Sequence, residues 1–122
     1  MHKPEFRIMI ADEIERYFGL GSYVLLKEIE KTNSVKDAAT NLDLSYSKAW
    51  KILNQAEKGA KRELVVRKQG GSQGGFTSLS DDGKRFILAY EKVVEEVEGK
   101  VASVFKAHFS WLDDESDNQG GG

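Results

Sequence analysis

Between Ser45 and Lys58 the chain reads Ser-Tyr-Ser-Lys-Ala-Trp-Lys-Ile-Leu-Asn-Gln-Ala-Glu-Lys. On a helix turning about 100° per residue, Ala49, Ile52, Leu53 and Ala56 gather on one side, while Ser47, Lys51, Asn54 and Lys58 gather on the other. Tyr46 and Trp50 flank that polar face. Its groups are those that read a DNA groove. Asn bonds an adenine edge through two atoms, Lys reaches guanine O6 and N7 or a phosphate, and Ser is a short donor and acceptor. Ser45, Tyr46, Ser47 and Lys48 occupy the first turn, where unpaired backbone N–H groups also bind phosphate. A polar helix face with two lysines is, by itself, ordinary solvated surface. Its meaning depends on what stands around it.

The elements before it make a tight helix pair. Val24, Leu25, Leu26 and Ile29 form an apolar stripe on a first helix, capped by Ser22 after the break Gly19-Leu20-Gly21 and ending near Thr32. Ser34 caps a short second helix over 35–42, with Val35, Ala38, Ala39 and Leu42 on one face. Its small alanines let another helix approach closely. Ser45 then caps the third helix, which runs through Ala56 and toward Ala60. Two helices joined by so short a turn are a helix-turn-helix. Ahead of them, residues 5–10 and 14–18 predict an N-terminal hairpin turning around Asp12-Glu13.

Directly after the third helix come a strand over 64–69, the glycine-rich tip Gly70-Gly71-Ser72-Gln73-Gly74-Gly75 and a return strand over 76–79. Arg67, Lys68 and Gln69 lie at the base of this wing, and Ser72 and Gln73 at its tip. These five complete the candidate DNA contacts. Trp50 is better suited to partial burial against the wing or the first helix than to base stacking.

Charge is distributed in the same sense. The chain of 122 residues carries a net −2, which taken whole disfavours a phosphate binder. Residues 34–69, however, hold eight Lys and Arg against four Asp and Glu, a net +4, with −1 before them and −5 after. Screening limits electrostatic reach to about 8–10 Å, so the acidic C-terminal region need not cancel the basic middle.

Composition excludes several other classes. There is no cysteine, hence no disulfide framework, thiolate zinc site or cysteine nucleophile. His2 and His108 stand near opposite ends of the chain and predict no metal site. The glycine tip lacks the Lys and following helix of a phosphate-binding loop. No serine-histidine-carboxylate constellation is evident, so no catalytic residues, cofactor or enzyme activity are expected. No apolar run approaches the roughly 20 residues of a membrane helix, and Met1-His2-Lys3-Pro4-Glu5 does not begin a signal peptide. A cytoplasmic protein without membrane partners is expected.

Ser80 caps a last helix, with Asp81 and Asp82 at the positive end of its dipole and helical character to about Phe109. In it Ile87, Tyr90, Val94, Val97, Val101, Val104 and His108 recur at alternating spacings of three and four. That is a coiled-coil seam, and it predicts a homodimer through these seven residues. Phe105 and Phe109 lie beside it, Trp111 continues it, and Gly99 sits off it. Up to Val94 the same helix could instead lie on the first helix of its own chain. Two-fold symmetry would offer two recognition helices to half-sites roughly 34 Å apart on double-stranded DNA.

The predicted fold class is therefore mainly α with small β: a winged helix-turn-helix with an N-terminal β-hairpin and a long C-terminal dimerisation helix. Residues 1–112 form the DNA-binding domain and dimerisation helix, and 113–122 an acidic, glycine-ended disordered tail. The competing class is a winged-helix protein-interaction scaffold that does not bind DNA.

From Leu20 to about Tyr90 the chain resembles the DNA-binding half of molybdate-responsive transcriptional regulators of the ModE type, themselves similar to the N-terminal domains of LysR-type regulators. Carrying residues are Ser34-Val35-Lys36-Asp37-Ala38-Ala39, Ser45-Tyr46-Ser47-Lys48-Ala49-Trp50, Leu64-Val65-Val66-Arg67, the tip Gly70 to Gly75, and Leu79-Ser80 with Gly83. The resemblance implies groove reading at Ser45, Tyr46, Ser47, Lys48, Lys51 and Asn54, and wing contacts from Arg67 to Gln73. Ser72 and Gln73 stand where the family commonly carries a wing lysine. The family's C-terminal molybdate-binding region has no counterpart in this sequence, so molybdate sensing is not carried over and the effector is open.

Overall fold

The computed structural model describes the backbone of residues 1–70 and 74–121 and the side chains of residues 1–68 and 75–114. Its elements in chain order are β1 (Ile10–Ala11), β2 (Arg16–Phe18), α1 (Leu20–Thr32), α2 (Val35–Asn41), α3 (Tyr46–Ala60), β3 (Val65–Gly70), β4 (Gly74–Leu79) and α4 (Asp81–Gly121). This is a mainly α winged helix with two small antiparallel hairpins, as the sequence predicts. The chain divides into two compact units, Arg7–Tyr90 and Met1–Phe6 with Glu91–Gly122.

Local chemistry sets the helix starts. Ser34 Oγ accepts from the Asp37 N–H at 3.0 Å, Ser45 Oγ from the Lys48 N–H at 3.1 Å, and Ser80 Oγ from the Gly83 N–H at 2.9 Å. Each satisfies one of the N–H groups that a helix start leaves without an intrahelical partner. The expected cap at Ser22 is different. α1 starts earlier, with Gly19 as N-cap, and Ser22 Oγ reaches back to accept from the Gly19 N–H at 3.2 Å. Glycine in a first turn interrupts few helical hydrogen bonds, so Gly19-Leu20-Gly21 does not break the helix. α1 ends at Asn33 in the left-handed region, φ 55°, where Asn is tolerated.

The turn between α2 and α3 is closed by Leu44 N–H donating to the Ala39 carbonyl at 2.8 Å, with Asp43 at φ 58°. The buried alanines Ala38, Ala39, Ala49 and Ala56 let these helices pack closely. Around them Phe18, Leu25, Leu26, Ile29, Leu53 and Leu64 are almost wholly removed from solvent. Full burial of side chains of this size stabilises by roughly 1.5–3 kcal/mol each.

The first turns of α4 complete this core. Phe18 packs on Phe86 and Tyr90 with ring centroids 4.5 and 5.2 Å away, and Tyr23 stacks on Tyr90 at 5.3 Å. The Tyr90 hydroxyl donates to the Ile8 carbonyl at 2.9 Å, and burial pushes its phenol above the usual range. Ile87 and Tyr90, expected in a dimer seam, are thus interior residues of their own chain, 3% and 5% exposed. The first two positions of the expected seam are covered by their own chain.

In the wing, β3 and β4 pair from Val65↔Leu79 to Gly70↔Gly74. Gly74 and Gly75 therefore belong to the return strand, which starts before the expected Phe76. Ser80 N–H donates to the Leu64 carbonyl at 3.0 Å and Ser80 Oγ to the Glu63 carbonyl at 2.6 Å. A Cβ at Gly83 would run into the Leu64 backbone, so only glycine permits this approach of α4 to the wing base. Thr77 N–H donates to the Asn33 carbonyl at 3.0 Å, fixing β4 to the end of α1. The N-terminal hairpin is shorter than predicted. Its register is irregular at Ile10/Ala11, and Asp12 Oδ1 caps the turn by accepting from the Ile14 and Glu15 N–H groups at 2.8 and 2.9 Å.

In the other unit, α4 continues past Phe109 to Gly121, so the segment expected to be a disordered tail is helical up to that residue. No proline or glycine interrupts residues 100–119, and propagation is far easier than nucleation once a helix is formed. Phe105 and Phe109 stack at 4.9 Å, and His2 Nδ1 lies 2.9 Å from Asp113 Oδ1. Val94, Val97 and Val101 are half-buried, whereas Val104 and His108 are exposed. Among the described residues no helix is long and apolar enough to cross a membrane.

Candidate nucleic-acid interface

α3 is held by its apolar side. Ala49, Leu53 and Ala56 are at most 1% exposed, and this fixes the helix's rotation. The opposite side is bare: Ser47, Lys51, Asn54 and Lys58 are exposed, as are Ser45, Tyr46 and Lys48 in the first turn. Ser45 Oγ and Ser47 Oγ lie 3.4 Å apart. All seven residues predicted on and at the start of α3 are therefore accessible.

Two hairpins flank that surface. On one side the Gln55 amide donates to the Arg16 carbonyl of β2 at 2.8 Å, and the Tyr17 ring lies against Gly59. On the other, Glu57 Oε2 accepts from the N–H groups of Leu64 and Val65 at 2.9 and 3.3 Å. Arg67 of β3 places its guanidinium 4.1 Å above the Trp50 ring and 3.8 Å from Glu57 Oε1. Tyr46 meets Trp50 edge-on at 6.2 Å. Trp50 is partly buried against the wing, as its residue type suggests.

The outer surface of α3 thus has a floor fixed by packing and walls fixed by hydrogen bonds. Lys27, Lys31, Arg62, Arg67 and Arg85 each stand within ion-pair distance of a carboxylate. Among the described residues, Lys48, Lys51, Lys58 and Lys68 do not. Uncompensated cations beside hydroxyl and amide groups make a surface that attracts a polyanion and offers hydrogen bonds to what it carries. Among the described residues no group of His, Asp and Glu converges as a metal site.

Of the wing residues, Arg67 and Lys68 are exposed on β3, and the Gln69 backbone pairs with Gly75. Ser72 and Gln73 lie outside the described residues. Sequence reasoning did not find Gln55, Glu57 or the Trp50–Arg67 stack. Glu57 carried one available signal, as a carboxylate next to a helix face otherwise rich in cations.

No family model matches the chain. It is 42% identical over 66 residues to the molybdenum transport protein ModE of Azotobacter vinelandii, a match covering 54% of this chain and 24% of the relative. It is 39% identical over 67 residues to the transcriptional regulator ModE of Haemophilus influenzae, covering 55% and 26%. To the DNA-binding transcriptional dual regulator ModE of Escherichia coli K12 it is 32% identical over 71 residues, covering 58% and 27%. The similarity to ModE-type regulators implied by the sequence motifs is present. The matches span about a quarter of the length of these relatives.

Proposed function

We propose that the protein is a transcriptional regulator that binds double-stranded DNA sequence-specifically, with α3 in the major groove and the wing along the backbone. The observation that carries this is the accessible face of α3, where Ser47, Lys51, Asn54 and Lys58 stand exposed between two hairpins. Asn54 and Lys51 read base edges. Ser45, Tyr46, Ser47 and Lys48 hold the first turn against phosphates, and Lys58, Lys68, Gln69, Ser72 and Gln73 extend the backbone contact. The ModE-type relatives, one of them named as a DNA-binding regulator, support the same reading. The chemistry needs no catalytic group, and the cell compartment is the cytoplasm, where the DNA of such a regulator lies.

The binding species is a homodimer. Ile87 and Tyr90 are withdrawn from the interface by their burial, leaving Val94, Val97, Val101, Val104 and His108 on the distal part of α4 as its seam. Val97→Glu with Val101→Glu should yield monomers in sedimentation. Dimers surviving both changes would move the interface elsewhere.

Selection from a random duplex pool, followed by titration from 50 to about 200 mM salt, tests the function itself. A palindromic consensus whose binding weakens steeply with salt is expected, because contacted phosphates release counterions. Absence of binding at the lowest salt would leave the protein-interaction scaffold.

A further inference from the structure

We infer that Arg67 is a positioning residue that latches the wing to α3, rather than one of the phosphate contacts its place at the wing base implies. The inference rests on the DNA-binding reading and adds to it what sets the angle between its two contacting elements.

Arg67 is engaged on two sides. Its guanidinium covers the Trp50 ring at 4.1 Å, and its Nη2 stands 3.8 Å from Glu57 Oε1. Trp50 and Glu57 are two turns apart on the same flank of α3, so one β3 side chain spans both. Glu57 is only 18% exposed, and its second oxygen takes the N–H groups of Leu64 and Val65, where the chain enters β3. Carboxylate, guanidinium and indole thereby join the start of the wing to the recognition helix. Trp50 also meets Tyr46 of the first turn edge-on, at 6.2 Å between ring centroids. The latch therefore reaches from the wing base to the end of α3 that enters the groove.

Chemistry makes arginine necessary here. A planar guanidinium stacks on an aromatic face and pairs with a carboxylate at once, and an ammonium does this poorly. For a simple phosphate contact a lysine would serve nearly as well. Glu57 gives a second, opposite distinction. A carboxylate beside bound DNA repels phosphate, so its neutralisation tightens binding unless the charge is needed to hold Arg67 in place.

The test compares DNA binding by Arg67→Lys and Glu57→Gln with that of the unsubstituted full chain, and follows Trp50 emission in the same three proteins with Trp111→Phe added so that Trp50 is the one tryptophan. The Glu57→Gln change keeps a side-chain carbonyl oxygen to accept from the Leu64 N–H. Both substitutions should weaken binding to the selected duplex about fivefold or more at constant salt, since the wing no longer meets the backbone while α3 is in the groove. Both should also change Trp50 emission and its quenching by acrylamide in the absence of DNA. Arg67→Lys binding within about twofold of the unsubstituted chain, as expected of a phosphate contact, would overturn the latch. So would tighter binding by Glu57→Gln, or Trp50 emission unmoved by either change. Failure of the unsubstituted chain to bind duplex DNA removes the proposed function; the other outcomes remove the latch alone.

Discussion

The two hairpins of the Arg7–Tyr90 unit hold opposite flanks of α3 by different physics. β1–β2 has strands of two and three residues and is held by burial: Phe18 in the core, the Tyr17 ring on Gly59 and one amide bond from Gln55. β3–β4 pairs six residues with six and adds to the burial of Leu64, Val65 and Leu79 a set of directed bonds: Ser80 to Leu64, Thr77 to Asn33, and Leu64 and Val65 to Glu57. Packing tolerates small displacements, whereas several directed bonds to one short strand define an angle. The N-terminal hairpin thus closes the core, and the wing is the one set in a fixed attitude to α3. Because both flanks are occupied by these attachments, the strip left open is the one bearing Ser47, Lys51, Asn54 and Lys58.

The contrast can be broken most forcefully at Gly83. A Cβ there meets the Leu64 backbone, which is tied in place and cannot give way. Gly83→Ala should cost about 2–3 kcal/mol in urea unfolding; a loss below about 0.5 kcal/mol would mean that the wing base is not rigid. At Gly59 the obstacle is the root of the Tyr17 side chain, its Cβ and Cγ, which can yield only if the short β2 strand shifts with it. Alanine also gains roughly 1 kcal/mol of helix propensity over glycine, which offsets part of the overpacking, so Gly59→Ala should cost about 1–2 kcal/mol. Combination with Tyr17→Ala should show coupling between the two positions. Simple additivity would show that the ring and the helix do not meet.

The smallest effect belongs to the turn of the N-terminal hairpin. Bonds from the Glu15 and Ile14 N–H groups hold the Asp12 carboxyl below the usual carboxylate range. Since its pKa is lower folded than unfolded, its stabilisation is present above the unfolded value and disappears as pH falls through the folded one. Asp12→Asn should flatten the acid limb of the stability curve slightly between about pH 5 and 2. Identical limbs for the two proteins would show that the carboxylate does not hold the turn.

What the sequence revealed and concealed follows the range of the interactions. Ser34, Ser45 and Ser80 were legible as caps because cap and N–H are three residues apart, and the face of α3 was legible because a helix's period fixes which residues share a side. Ser22 misled because glycines at a first turn resemble a break. The seam in α4 misled at Ile87 and Tyr90 because a heptad period states that a face will be covered, without stating by what. Phe18 and Tyr23, which cover Tyr90, are more than 60 residues away in the chain. The Trp50–Glu57–Arg67 cluster was hidden for the same reason: it exists only once β3 has folded back on α3.

The most direct test of the central claim is duplex affinity of Lys51→Glu, measured on the selected site at constant salt beside far-ultraviolet circular dichroism. An exposed cation in the groove predicts at least a tenfold or so loss of binding, with helix content and melting temperature unchanged. Binding equal to the unsubstituted protein, or a collapsed fold, would contradict the assignment of α3's open face to DNA.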